Sequence, residues 1–221
     1  MFIPELNAPA MRSRHRRTFF GGDRRLPFAI LTPIGAIYDA LGPAKASADG
    51  WWPCKSAHGG LVVLTPQATP AIDALCALEP DVPVLFLGFA GGLGAVSAGD
   101  VVEPSAALLG PSSFARTSPS PLAYRDVRVG TVSCFNESDQ QRGFLEEHVD
   151  CVDMECGWLF ATAERQRRTL RAVLIISDHV SRRPFTEVAA AAVRQAIEDV
   201  AEAVRDGALF GDRIPSGVSV R

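Results

Sequence analysis

The sequence predicts an α/β protein, a single domain in which a mixed central β-sheet is flanked by helices. Short apolar runs that suit buried strands alternate with amphipathic stretches that suit helices, an order typical of helices packed on a sheet. The chain has 221 residues, of which 47% are hydrophobic and 21% are charged. This composition excludes a disordered chain, and the length fits one large domain.

The strands are predicted in apolar runs that are short and bounded by Gly, Pro or polar residues. These runs lie at residues 26–32, 60–65, 82–88, 127–133, 151–153 and 171–177. The run at residues 171–177 is the most hydrophobic, so we expect that strand to be buried on both faces of the sheet.

The helices are predicted between the strands, where apolar residues recur with helical spacing. They lie at residues 35–42, 68–78, 136–148, 155–167 and 186–205. The last helix has one core-facing stripe, with apolar residues at i, i+4, i+7 and i+11, namely Val193, Ile197, Val200 and Val204. Residues 43–60 are rich in Ala, Pro, Ser and Gly and are predicted to be a loop.

Charge and cysteine content exclude several classes of function. The formal net charge of −3 gives no general attraction to nucleic acid. No apolar run reaches the roughly 18 to 20 residues that cross a membrane. The five cysteines are an odd number without a C-x-x-C pair, so neither a disulfide framework nor a zinc site is predicted. Free thiols fit a reducing cytoplasm, which is the predicted location.

The first 25 residues differ in composition from the rest of the chain. They hold six arginines against Glu5 and Asp23. A transit peptide or a nucleic-acid-binding arm has this composition, and so do a solvated tail and a start codon placed too early. We expect a flexible basic arm over residues 1–25, a catalytic domain over residues 26–210 and a tail over residues 211–221.

Three motifs that can carry chemistry follow predicted strands. The glycine-rich residues 88–94 form either a tight turn or a loop whose backbone N–H groups approach a ligand. Glu155 either caps a helix or accepts hydrogen bonds from a sugar diol at the carboxyl edge of the sheet. Asp178 either caps a helix or, with a pKa raised by burial, acts as a general acid.

In their order and spacing these motifs resemble those of the nucleoside phosphorylase and nucleosidase superfamily, most closely the 5′-methylthioadenosine/S-adenosylhomocysteine nucleosidases. The resembling segments are Gly88-Phe89-Ala90-Gly91-Gly92-Leu93 with Ala98-Gly99-Asp100-Val101-Val102, then Val152-Asp153-Met154-Glu155, then Ile176-Ser177-Asp178. The likeness covers residues 27–206. It implies a three-layer sandwich that cleaves the N-glycosidic bond of a purine nucleoside or modified nucleoside. It further implies a homodimer with no cofactor, no metal, and no nucleic-acid or membrane partner.

The resemblance also implies roles for individual residues. Asp178 protonates the leaving base, Glu155 binds the ribose hydroxyls, and Met154 packs beneath the sugar. An aromatic side chain, best matched by Phe135, stacks on the base. The other residues expected at the substrate are Ala90, Gly91, Ser177, Phe89, Arg182 and Phe185. The chemistry is consistent, because cleavage passes through a cation-like sugar and the base leaves more easily when protonated.

The chain departs from the family's pattern on the side that faces the attacking group. Residues 84–87 lack the arginine with which the phosphorylases hold phosphate, so water is the predicted acceptor. The nucleosidases place a glutamate after the first strand to activate that water, but here the nearest carboxylate is Asp39. Residues 64–68 replace a glycine-rich turn, and Phe89 replaces a small serine.

Several explanations of these departures remain open. Glu155 or His179 positions the water, the reaction or the substrate differs, or the chain binds a nucleoside without turnover. Arg182 and Arg183 either pair with a phosphate or carboxylate on the substrate or belong to a solvated loop. In the first case a phosphorylase with a rebuilt phosphate site is a further alternative.

Overall fold

A computed structural model describes residues 8–23, 27–43, 46–47, 50–117, 124–133, 139–180 and 190–209. The strands in these residues are β1 (Ala29–Thr32), β2 (Ala46–Ser47), β3 (Cys54–Ala57), β4 (Gly60–Leu64), β5 (Val84–Gly92), β6 (Val101–Leu109), β7 (Ser112–Ala115), β8 (Arg125–Thr131), β9 (Cys151–Asp153) and β10 (Leu170–His179). The helices are α1 (Pro9–Phe20), α2 (Gly35–Ala40), α3 (Pro70–Ala77), α4 (Asp139–His148), α5 (Cys156–Gln166) and α6 (Ala190–Arg205). None of the described helices is long and apolar enough to span a membrane.

The strands form one mixed sheet in the order β10-β6-β8-β9-β5-β1-β4-β3-β2, with β7 paired to β6. Strands β1, β4, β5 and β10 are parallel to one another. Because β10 pairs with both β5 and β6, strands β5, β9, β8, β6 and β10 close into a ring. The carboxyl ends of the four parallel strands meet at one edge, which is where α/β sheets bind ligands.

Helices cover both faces of the sheet. On one face α1, α3 and α5 contribute Phe20, Leu75 and Phe160 to a buried cluster. On the other face α2 and α6 contribute Ile37 and the predicted stripe of α6 to a second cluster. This is the three-layer α/β arrangement that the sequence predicts.

Most of the glycine-rich segment, residues 88–92, is not a loop but the second half of β5. Gly88, Gly91 and Gly92 lie in the strand and pair with β10, β9 or both. A Cβ on Gly88 would lie 2.7 Å from Phe86 Cε1, and one on Gly91 would lie 3.0 Å from Val180 Cγ2. These two positions favour glycine because neighbouring side chains fill the space, and not because the chain turns there.

The amino-terminal segment also differs from the expectation of a flexible arm. Its residues Pro9–Phe20 form α1, which packs on α3, and Phe20 lies in the core. The Arg16 side chain is buried and donates to Asp23 Oδ1 at 2.6 Å and to Glu79 Oε1 at 2.7 Å. These two carboxylates neutralise an arginine that composition alone assigns to a solvated tail.

Residues 43–60 contain a hairpin where the sequence predicts only a loop. Strand β3 runs antiparallel to both β2 and β4. Its Lys55 is 5% exposed, donates from Nζ to Gly42 O at 2.6 Å, and lies 4.3 Å from the ring centroid of Tyr38. A buried lysine breaks the apolar pattern by which strands are recognised.

Candidate active site

Asp178 lies near the carboxyl end of β10, beside the glycine segment of β5. The pairing of β10 with β5 shifts register after Ile176, so that Asp178, and not Ser177, is the partner of Gly91. Such a bulge re-aims the side chains that follow it. Asp178 Oδ1 is 3.7 Å from the place that a Cβ on Gly91 would take, so the carboxyl group lies directly against this glycine.

The environment of Asp178 favours the protonated carboxyl group. The residue is 6% exposed, and burial raises its pKa above the ordinary aspartate value. A hydrogen bond from the Ser177 hydroxyl and the neighbouring His179 act in the opposite direction. The net shift is upward, which is the direction that a general acid needs.

Gly91 connects Asp178 to the segment that carries Glu155. On its other side Gly91 pairs with Val152 of β9. Strand β9 ends at Asp153 and α5 begins at Cys156, so Glu155 lies in the turn between them. Gly91 is therefore paired with Asp178 on one side and, on the other side, with the strand that leads into the turn of Glu155.

Buried hydrogen bonds fix the turn in which Glu155 lies. The Asp153 carboxylate accepts from Thr131 Oγ1 at 2.6 Å and from the Cys156 N–H at 2.7 Å. Thr131 Oγ1 in turn accepts from the Gly157 N–H at 2.7 Å. These bonds satisfy backbone donors in the first turn of α5. The backbone of Glu155 is consequently held from both sides.

Glu155 occupies the N-cap position of α5, yet its side chain caps no N–H group of that helix. Instead Oε1 accepts from the Ala68 N–H at 2.6 Å and Oε2 accepts from the Met154 N–H at 3.3 Å. The residue is 5% exposed. The helix-capping explanation of this carboxylate is therefore excluded.

Burial raises the pKa of Glu155 to about 7. The negative charge of Asp153 adds to the rise, while the N–H donors of Ala68 and Met154 oppose it. The Glu155 carboxyl group therefore changes its charge near neutral pH.

The other predicted site residues that the structure describes surround this edge. Ala90 is buried on the face of β5 that α3 and α5 cover, and its carbonyl accepts from Ser177 Oγ at 3.3 Å. Phe89 packs on the opposite face, with the cluster below α2 and α6. Met154 packs against a smaller apolar cluster that includes Leu93.

Four predicted residues, Phe135, Arg182, Arg183 and Phe185, lie outside the described part of the chain. Their roles stay predictions. Within the described part, no group of three or more His, Cys, Asp or Glu side chains is arranged to hold a metal ion.

The candidates for positioning water differ in their surroundings. Asp39 is exposed on α2. His179 is 8% exposed and pairs in register with Gly92, and its Nε2 lies 3.3 Å from Gly94 O. Its Nδ1 has no hydrogen-bond partner among the described residues. His179 is therefore better placed than Asp39, and Glu155 is the other candidate.

The turn after β4 contacts Glu155, a contact that the sequence analysis does not predict. Its Ala68 reaches Glu155 and has a φ of 65°, in the left-handed region that favours glycine. The glycine-rich turn of the family could have indicated this position, because Ala68 adopts a backbone conformation that suits glycine.

Comparison with solved structures finds the same fold in several nucleosidases. An AMP nucleosidase from Bacteroides thetaiotaomicron matches with a TM-score of 0.64 and 20% identity, over 90% of this chain and 98% of that one. A 5′-methylthioadenosine nucleosidase from Arabidopsis thaliana matches with a TM-score of 0.63 and 17% identity, over 90% of this chain and 98% of that one. A futalosine hydrolase mutant from Helicobacter pylori matches with a TM-score of 0.60 and 12% identity, over 80% of this chain and 96% of that one.

No protein-family model matches the chain, and no curated protein matches it in sequence. The likeness is therefore one of architecture, and it extends over nearly the whole length of the solved structures. The chain has the same fold as these nucleosidases, which is the fold that its motifs predict.

Proposed function

We propose that the chain is a nucleosidase that hydrolyses the N-glycosidic bond of a purine nucleoside or a modified relative. In this proposal Asp178 protonates the leaving base and Glu155 holds the ribose hydroxyls. The observation that carries it is the pairing of Gly91, which has Asp178 on one side and the strand leading to Glu155 on the other. The burial of both carboxyl groups, and the fact that Glu155 caps no helix, support this proposal.

The reaction needs a proton for the base and negative charge beside the sugar. When the bond from the anomeric carbon to the base nitrogen breaks, its electron pair leaves with the base, which takes the proton of Asp178. The sugar becomes cation-like, and ionised Glu155 stabilises it through the hydroxyls that it holds. Water then adds to the anomeric carbon, and the proton that it releases restores Asp178.

Water is the proposed acceptor because β5 offers phosphate no counter-charge. The first half of that strand, residues 84–87, is apolar and buried. His179, with a ring nitrogen that lacks a partner among the described residues, is the proposed group that orients the water.

The test is to incubate the protein with a panel of purine nucleosides, with and without phosphate, and to measure free base. Release without phosphate supports the nucleosidase, and release only with phosphate indicates a phosphorylase. Tight binding without release over hours indicates a binding protein. Asp178→Asn should abolish release but retain binding, because the amide keeps the shape but has no acidic proton to give.

A matched control is Asp126→Asn, since Asp126 is exposed on β8 and pairs with Arg116. That variant should keep the wild-type rate. Full activity of Asp178→Asn would contradict the assignment of the acid. The homodimer and the cytoplasmic location stay predictions, of which light scattering tests the first.

A further inference from the structure

Thr65 has a buried hydroxyl group that lacks a hydrogen-bond partner among the described residues. The residue directly follows β4, is 3% exposed, and its N–H donates to Thr32 O at 2.9 Å. A buried hydroxyl without a partner loses the hydrogen bonds that it makes with water in the unfolded chain. Since such groups are rare in folded proteins, this hydroxyl needs an explanation.

The position of Thr65 puts this hydroxyl on the face of the sheet where Glu155 lies. Side chains of β4 alternate between the faces, with Leu61 and Val63 packed towards α3 and α5 and Val62 packed towards α2 and α6. Because the Thr65 N–H continues the pairing of β4 with β1, Thr65 shares the face of Leu61 and Val63. Helix α5, with Glu155 at its N-terminus, covers that face.

The turn that begins at Thr65 is tied to Glu155. Ala68, three residues later, donates its N–H to Glu155 Oε1 at 2.6 Å. Both Glu155 and Thr65 are closed off from solvent, at 5% and 3% exposure. A ligand that contacts the Glu155 carboxylate would therefore lie next to the turn that begins at Thr65.

We propose that the Thr65 hydroxyl is a second sugar-binding group, which hydrogen-bonds the ribose diol that Glu155 also holds. The inference rests on the proposed nucleosidase function and makes Thr65 a specificity-determining residue for it. A hydroxyl both donates and accepts, so it complements the carboxylate, which only accepts when ionised. A nucleoside that lacks one hydroxyl of the diol leaves a polar group of the site unpaired, and such sites discriminate strongly.

The test is Thr65→Val, which replaces the hydroxyl by a methyl group of similar shape. In the free protein the Tm should rise, because a buried group without a partner has been removed. Binding is measured in an Asp178→Asn background, so that the nucleoside is not cleaved, with 5′-methylthioadenosine, adenosine, 2′-deoxyadenosine and 3′-deoxyadenosine. Thr65→Val should lower the affinity for the two ribonucleosides about tenfold but leave the affinity for one of the two deoxyadenosines unchanged. Thr65→Ser should keep the wild-type pattern.

The matched control is Thr117→Val, because Thr117 Oγ1 accepts from the Leu170 N–H at 2.8 Å and lies 3.2 Å from Leu170 O. That variant should lower the Tm and leave all affinities unchanged. A lower Tm for Thr65→Val, or an equal loss of affinity for all four nucleosides, overturns the inference. If the wild type releases base while Thr65→Val keeps its selectivity, the inference fails and the nucleosidase stands. If no nucleoside binds or reacts, both fail.

Discussion

Glu155→Gln separates the charge of the candidate ribose-binding residue from its shape. A glutamine can still accept from the Ala68 N–H, which contacts Glu155 Oε1 at 2.6 Å, but it does not titrate. The variant therefore removes the energetic consequence of ionising a buried carboxyl group while leaving the turn after β4 in place. We expect it to change how the free energy of unfolding depends on pH.

The direction and size follow from the pKa of Glu155. It is about 7 in the folded protein, against 4.5 for an ordinary glutamate. Between these values the folded state holds a proton that the unfolded state has lost, so stability falls as the pH rises from about 4.5 to 7. At about 1.4 kcal/mol per pH unit, the wild type loses about 3 kcal/mol over this window through Glu155, and nothing more above it.

The assay is urea unfolding of both proteins at closely spaced pH values from 4 to 8.5. The difference between Glu155→Gln and the wild type cancels the other titrating groups, and it should move by about 3 kcal/mol in favour of the variant as the pH rises. A difference that stays constant over this range would show that Glu155 ionises normally. A stability difference that changes mainly below pH 4.5 would show that folding lowers the pKa of Glu155. Either outcome refutes the reasoning.

Two further variants test the surroundings of the site and the core. Ala68→Gly should stabilise the protein by up to about 1 kcal/mol in urea unfolding, because it relieves a left-handed φ of 65°; Ala191→Gly, in the first turn of α6, should destabilise it instead. Arg171→Met should cost about 3 kcal/mol, because the fully buried Glu103 loses the arginine that donates to both its oxygens, at 2.6 and 2.8 Å, and keeps Arg116 at 3.6 Å. An unfolding midpoint close to the wild type would contradict this value.

The sequence predicts the fold where burial follows the apolar pattern and misses elements where burial depends on distant partners. Strands β1, β4, β5 and β10 and the stripe of α6 are visible because their side chains are apolar and enclosed. Helix α1 is hidden because Arg16 is neutralised partly by Glu79, which is far away in sequence. Strand β3 is not predicted because it contains a buried lysine, Lys55, whose Nζ donates a hydrogen bond to a backbone carbonyl.

The same distinction holds for the candidate site. The sequence identifies Asp178 and Glu155 as candidates, since each is an acidic residue at a predicted strand end, and the structure shows that both are buried. It does not predict that Glu155 contacts Ala68, because 87 residues separate them in sequence. Nor does it predict that the glycine segment is a strand, because its glycines are explained by the side chains of Phe86 and Val180 packed against them.

The two carboxyl groups of the site have opposite requirements. On the proposed function, Asp178 must hold a proton to give to the base, whereas Glu155 must be ionised to accept hydrogen bonds from the sugar. Burial raises the pKa of both groups, because an ionised carboxyl group loses hydration when it is buried. In the proposal a bound nucleoside has opposite effects on the two groups. Its hydroxyls donate to Glu155 and favour the ionised form of that carboxyl group. A ring nitrogen of its base accepts from Asp178 and favours the protonated form. On the proposed function, the protonation states needed for catalysis therefore arise when the substrate binds, which restricts proton transfer to a site that is already filled.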